Sequence, residues 1–272
     1  MRLARLMAER GLCSRREAEQ WIKAGRVRVD GELASGVVVL DGATALVKVD
    51  GKPLPPAAEK RWFLYYKPKG QMITRRDPEG RSDMDEMLGK LGTKVEPVGR
   101  LDFDTEGALL LTNDGDIAHR LLHPSRAVPK RYLVKCYRTP SDKDLVAIRD
   151  GVWLEDGKTK PALCRNVTST TTGNTWVEVT VTEGRNRLIR RMFAQLGHPV
   201  SKLRRESFAT ISVRGLERGQ VRPLTGDEIR RLREIAEGVT AKQAGHERPI
   251  GHARPKAKPS TREKAPKRRK RD

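Results

Sequence analysis

The chain has 272 residues, 56 of them Lys or Arg against 35 Asp or Glu, for a formal net charge of +21. That imbalance implies a polyanionic partner, most simply nucleic acid, with an anionic membrane surface as the competitor. No apolar run approaches the roughly 18 residues of a membrane span, and Glu9, Glu17 and Glu19 are unlike a targeting peptide. Cys13, Cys136 and Cys164 are too scattered for a disulfide framework or zinc knuckle, so the chain reads as soluble and cytoplasmic.

Leu3, Leu6 and Met7 recur at helical spacing between Arg2 and Arg10, and Gly11 ends that helix. A second helix starts at Ser14, which with Glu17 three residues on makes a capping box. Ala18, Trp21 and Ile22 face inward, Gly25 is the stop, and Arg15, Arg16 and Lys23 are left outside. Val27 and Val29 then alternate with Arg26 and Arg28, and Asp30-Gly31 is a hairpin signal. The stretch DGKPLPPAAEK, with three prolines and no apolar period, reads as a linker.

From about residue 60 to 236 the pattern is that of an α+β domain. RWFLYYK and RYLVKCY are strands, and WVEVTVT sets Val177, Val179 and Val181 on one face, with Gly173-Asn174 before it suggesting a hairpin. The stretch GRLDFDTEGALLLTNDG places Asp102, Asp104, Glu106 and Asp114 in a basic chain. Its bland reading is a polar loop, a buried strand ALLLT, and a turn that starts the helix DIAHRLL. Its chemical reading is an ionised Asp near Arg100 that serves as nucleophile or base without a cofactor. Farther on, GRNRLIRRMFAQLGHP has a helical period that gathers Leu188, Ile189, Met192, Phe193 and Leu196 on one side and Arg187, Arg190 and Arg191 on the other, with Gly197 as the stop. His119 and His123 lack further ligands nearby and read as structural.

Val239 to Asp272 holds 12 Lys or Arg against 3 Asp or Glu and no Leu, Phe, Trp, Tyr or Met. Such a segment cannot bury enough surface to offset its ordering entropy and reads as a disordered basic arm.

Two resemblances follow from these blocks. RLARLMAERGLCSRREAEQWIKAGRVRVDGELA resembles the S4 RNA-binding domain, which implies that Arg15, Arg16, Lys23 and Arg26 contact RNA phosphates. GRLDFDTEGALLLTNDG, YKPKG, HPSRAVPKRY and EGRNRLIRRMFAQLGHPV resemble the blocks of the S4-containing ribosomal RNA pseudouridine synthases. The chain is thereby expected to divide into an S4 domain at 1–48, a linker at 49–60, a catalytic domain at 61–236 and a tail at 237–272. The fold expected is α+β, with a mainly antiparallel mixed sheet and flanking helices in the catalytic domain.

Carried over residue by residue, the resemblance makes Asp102 the carboxylate that attacks or deprotonates the ribosyl part of a uridine. Tyr132 packs against the uracil, and Arg190 pairs with Asp102. Arg100, Arg187 and Arg191 join the RNA-contacting set. Leu188 stands where the family usually has Gln, and Ala108 where Leu is commoner. Uridine and pseudouridine are isomers, so no cofactor or metal is implied, and no dinucleotide fingerprint or P-loop is present. Within the family, LEDG at 154–157, EGRNR at 183–187 and the basic tail point to the branch that modifies 23S ribosomal RNA, free or in an assembly intermediate, by a monomer. The 16S branch is the alternative. A non-enzymatic ribosome assembly factor is disfavoured by the intact Asp102, Tyr132 and Arg190, and a glycosidase using Asp102 and Asp104 leaves the basic regions without a purpose.

Overall fold

The computed structural model describes residues 1–40, 45–73, 84–169 and 174–240. Of the tail expected at 237–272, residues 241–272 lie outside them, as does Gly173 of the expected turn, while Glu237 still closes the last described helix. The first unit opens with α1 (Leu3–Glu9) and α2 (Arg15–Lys23). The Ser14 hydroxyl accepts from Glu17 N at 3.2 Å, and Ser14 N donates to the Glu17 carboxylate at 2.7 Å. This reciprocal pair satisfies amide donors that a helix start leaves open.

Four short strands follow: β1 (Val27–Val29), β2 (Glu32–Leu33), β3 (Val47–Val49) and β4 (Lys52–Pro53), in the sheet order β2-β1-β3-β4. Asp30 and Gly31 take φ of 52° and 92°, the turn geometry that suits a two-residue hairpin. Asp50 and Gly51 repeat it at 49° and 77°. That second hairpin carries the sheet to Pro53, so the linker expected at 49–60 starts later, and the stretch without regular structure runs from 54 to 61. Leu3, Met7, Ala18, Ile22, Val27 and Val47 close a core belonging to this unit alone.

The second unit begins with β5 (Trp62–Lys67), α3 (Asp85–Gly89), β6 (Glu96–Pro97), β7 (Thr105–Thr112) and α4 (Gly115–Leu122). It continues through β8 (Lys130–Tyr137), α5 (Asp142–Asp150), β9 (Trp153–Leu154), β10 (Gly157–Lys158), β11 (Leu163–Ser169) and β12 (Asn174–Val181). It ends with α6 (Leu188–Gln195), β13 (Val200–Phe208), β14 (Ile211–Ser212), β15 (Val221–Pro223) and α7 (Gly226–Glu237). The central sheet runs β11-β12-β8-β13-β7-β5-β15, with β14 on β13 and β6 on β7. Its pairings are antiparallel except that of β13 with β7, which is parallel. This is the mixed sheet the sequence implies.

Side-chain alternation explains how the sheet is covered. Trp62, Leu64, Tyr66, Ala108 and Leu110 pack on one side with Leu121 of α4 and Leu232 and Ile235 of α7. Tyr65, Leu109 and Leu111 pack on the other with Leu88, Val95 and Leu101. The run ALLL is thus buried on both faces, which is why it lacks polar alternation. Val177, Val179 and Val181 meet Leu188, Ile189, Met192 and Phe193 of α6 in a further core.

The parallel seam depends on one glycine. Gly107 has φ +121°, and a Cβ there would lie 2.2 Å from Arg205 O and 2.7 Å from Arg205 N. Backbone cannot yield as a flexible side chain does. Gly107→Ala is expected to cost about 2–4 kcal/mol, read as a lower urea midpoint; an unchanged midpoint would show that the seam opens freely.

Candidate active site

Between the end of β7's leading loop and the start of α6 lies a cleft of about 970 Å³, large enough for a nucleotide. Asp102, Arg100, Tyr132, Arg187, Lys130 and Arg205 are among its lining residues. The loop that presents Asp102 is held from beneath. Thr105 N donates to Asp102 O at 3.1 Å, and the Lys67 ammonium donates to the carbonyls of Pro68, Asp102 and Thr105 at 3.0, 3.2 and 2.9 Å. Lys67 is fully buried, its carbon stem in the strand and its charge under the loop.

The four acids of this stretch have separate tasks. Asp114 caps α4, accepting from Ile117 N at 3.4 Å. Glu106 pairs with Arg218 at 2.8 Å. Asp104 lies 2.9 Å from Arg190 Nη2. Among the described residues, the Asp102 carboxylate makes no ion pair, and it is the one of the four that lines the cleft. A half-buried, uncommitted carboxylate on a rigidly held loop is available to attack or to take a proton.

The expected pairing of Arg190 with Asp102 is therefore corrected to Asp104. Arg190 Nη2 also donates to Asp104 O at 3.3 Å, and Nη1 donates to Val200 O at 3.2 Å. Asp104 immediately precedes β7, and Val200 opens β13, so Arg190 ties α6 to the entrances of both parallel strands. The turn that brings Asp102 O to Thr105 N puts the next-but-one acid, and not Asp102 itself, against α6. Arg190 thus touches the loop that carries Asp102 at Asp104 and not at Asp102 itself.

Tyr132 is half-buried in β8 and forms part of the cleft floor. Arg187 is exposed, adopts φ 46° as the residue before α6, and holds its Nη2 3.8 Å from Asp104 Oδ2. A left-handed non-glycine residue costs about 1–2 kcal/mol, a strain of the kind that clusters at functional sites. Arg100 is exposed at the cleft. Arg191, expected on RNA, instead bonds Asp156 through Nη1 and Nη2 at 3.0 and 2.9 Å, clamping α6 to the β9–β10 hairpin. Arg15, Arg16 and Lys23 are exposed on α2. Arg26 is exposed too, but pairs with Asp50 and lies 4.6 Å from the Trp21 ring centroid, so most of its charge is already matched.

Sequence reasoning missed Lys67, Asp104's anchoring role and the pair Lys130 and Arg205. A Lys closing an apolar strand just before Pro68 is the one local signal that could have marked Lys67. Burial pulls the Lys67 ammonium down to about 8, against the opposing pull of Asp104, Asp102 and Glu106. Since the unfolded group sits near 10.5, the native state releases its proton first. This group's contribution to stability therefore rises with pH between about 8 and 10.5 and is lost as pH falls through 8. Activity should move oppositely, because the loop loses its buried charge above pH 8. Lys130, brought to about 8 by burial and by Arg205, adds to the same alkaline limb. A rate profile flat to about pH 9 would contradict this reading of Lys67.

Among the described residues no cluster of His, Cys, Asp and Glu could hold a metal ion, and no helix is long and apolar enough to cross a membrane.

Comparison with known proteins bears on this geometry. Residues 61–195 match the RNA pseudouridylate synthase family and residues 1–35 the S4 domain. The chain is 38% identical over 237 residues to ribosomal large subunit pseudouridine synthase B of Bacillus subtilis, covering 87% of this chain and 97% of that protein. It is 41% identical over 247 residues to the protein of that name in Escherichia coli, covering 87% and 83%. A solved structure described as a pseudouridylate synthase superposes with a TM-score of 0.62 at 30% identity, covering 85% of this chain and 99% of that one. The chain belongs to the pseudouridine synthases that carry an amino-terminal S4 domain.

Proposed function

We propose that this protein converts a specific uridine of 23S ribosomal RNA to pseudouridine, with Asp102 as the reacting carboxylate and no cofactor. The observation that carries the assignment of Asp102 is its place as the one acid of its stretch lining the cleft, with no ion pair among the described residues. The 23S assignment is supported by relatives named for the large ribosomal subunit, similar over most of their length.

The target must leave its stack to be reached, at a cost of a few kcal/mol. Exposed Arg15, Arg16 and Lys23 hold the RNA by its phosphates, which orients without reading sequence. Tyr132 on the cleft floor packs against the extruded base. Asp102 then adds to the nucleotide or takes its 2′ proton; the bond from C1′ to N1 breaks, the uracil turns while Tyr132 retains it, and C1′ joins C5. C5 loses its proton and N1 takes one up, while Asp102 is released from its adduct or returns the 2′ proton, so atoms balance with nothing consumed. Arg190 keeps the loop aimed by holding Asp104. The protein works in the cytoplasm as a monomer, on 23S ribosomal RNA or an assembly intermediate that contains it.

The test is to map pseudouridines in ribosomal RNA by carbodiimide treatment and reverse transcription, with and without the gene. One stop should vanish from 23S. Loss of a stop from 16S alone, or of none, would overturn the proposal.

A further inference from the structure

The cleft has a cationic pole that the reaction above leaves unused. Lys130 and Tyr132 lie on one face of β8, and in the β8–β13 register Arg205 stands opposite Tyr132 and Phe208 opposite Lys130. Arg205 is only 3% exposed, yet it lines the cleft. Its Nε donates to Ala108 O at 2.7 Å. Its Nη2 is buried with no hydrogen-bond partner among the described residues. A guanidinium cannot give up its charge, and a buried donor left unpaired is costly until an acceptor reaches it.

Lys130 stands beside Arg205. Its Nζ is 5.6 Å from the Phe208 ring centroid, and the Arg205 guanidinium carbon is 5.4 Å from the same ring. Lys130 donates to Val128 O at 2.9 Å, an interaction that does nothing for its charge. The acid acting on it, Glu183, is already engaged, accepting from Lys160 N at 2.8 Å and from Arg185 Nε at 3.1 Å. Two cations thus share one ring without a committed counter-ion among the described residues, and burial together with Arg205 pulls Lys130 down to about 8.

We propose that Arg205 and Lys130 form an anion site for one of the two backbone phosphates flanking the target uridine, seating the sugar against Asp102 while Tyr132 holds the base. The inference rests on uridine in RNA being the substrate. A uracil carbonyl, being neutral, would leave both positive charges unmatched. A phosphodiester brings a negative charge and acceptor oxygens suited to a guanidinium and an ammonium together. Unlike the arginines of the outer surface, this pair lies inside the cleft, so it meets only a nucleotide already drawn from its stack.

The test uses a hairpin oligoribonucleotide containing the uridine mapped as above, chosen because the wild-type protein converts it. Failure of the substrate reading therefore shows before any phosphate is altered. A neutral methylphosphonate replaces the linkage on the 5′ side in one preparation and on the 3′ side in another. One of them should raise KM by about 10- to 100-fold, as expected for loss of charge-assisted hydrogen bonds. In Lys130→Gln the same linkage should cost much less, since its partner is already absent. Tolerance of both neutral linkages by the wild type, or an equal penalty in wild type and Lys130→Gln, overturns the proposal. The comparison of linkages within the wild type needs no variant to fold.

Discussion

Asp102→Asn abolishes isomerisation while RNA binding stays close to that of the wild type: this is the expected result with the largest effect. The substitution keeps the side chain's size and removes its charge and nucleophilicity. Asp102 makes no ion pair among the described residues, its charge supports the buried Lys67 only together with Asp104 and Glu106, and the loop is held by its backbone through Lys67 and Thr105. Loss of the reacting group should cost about 10⁴-fold or more in single-turnover rate, roughly 5.5 kcal/mol at 1.36 kcal/mol per decade. Asp104→Asn should behave differently. It leaves the reacting group in place and removes the charge that Arg190 meets, while the Asp104 carbonyl still accepts from Arg190, so activity falls only in part and stability falls with it. A variant with Asn at 102 that keeps normal turnover would remove Asp102 from the chemistry.

The second large effect is on binding. Deleting residues 1–58 should leave a folded, active catalytic unit that finds its RNA poorly. The first unit has its own core, and the Arg5–Asp116 ion pair ties it to the start of α4. Removing Arg15, Arg16 and Lys23 should raise the apparent Kd about 100-fold. It should also make the dependence of log K on log salt shallower by roughly 2–3, close to one for each phosphate no longer neutralised. Filter binding at two salt concentrations reads both quantities. Unchanged affinity would place RNA recognition wholly in the second unit.

Much of this architecture can be read locally. Ser14 with Glu17, Asp30-Gly31 and the alternating valines of β12 each carry their geometry in a few adjacent residues, and the structure has them as expected. The second hairpin at Asp50-Gly51 carried the same signal, but the prolines after it pulled the reading toward a linker. The parallel pairing of β7 with β13 has no local mark, because it joins residues about a hundred positions apart. The same holds for the anion pole, whose members are Lys130 and Arg205.

The site shows a finer version of this difference. The residue types needed for the chemistry were legible in the resemblance, and Asp102 and Tyr132 do share a cleft. Which acid Arg190 meets depends on how one turn is wound, and sequence spacing cannot separate Asp102 from Asp104 two residues on. Arg191 and Arg26 were read as RNA contacts from their charge and their place in the resemblance. Their partners, Asp156 and Asp50, come from hairpins whose positions only the folded chain fixes.

The most direct test of the central claim is to incubate the purified protein with unmodified 23S and 16S transcripts carrying tritium at C5 of uridine, and to follow release into water. C5 loses its hydrogen only when it joins C1′, so release reports the isomerisation itself. Release from 23S alone is the predicted result; release from 16S alone, or from neither transcript, would contradict the account.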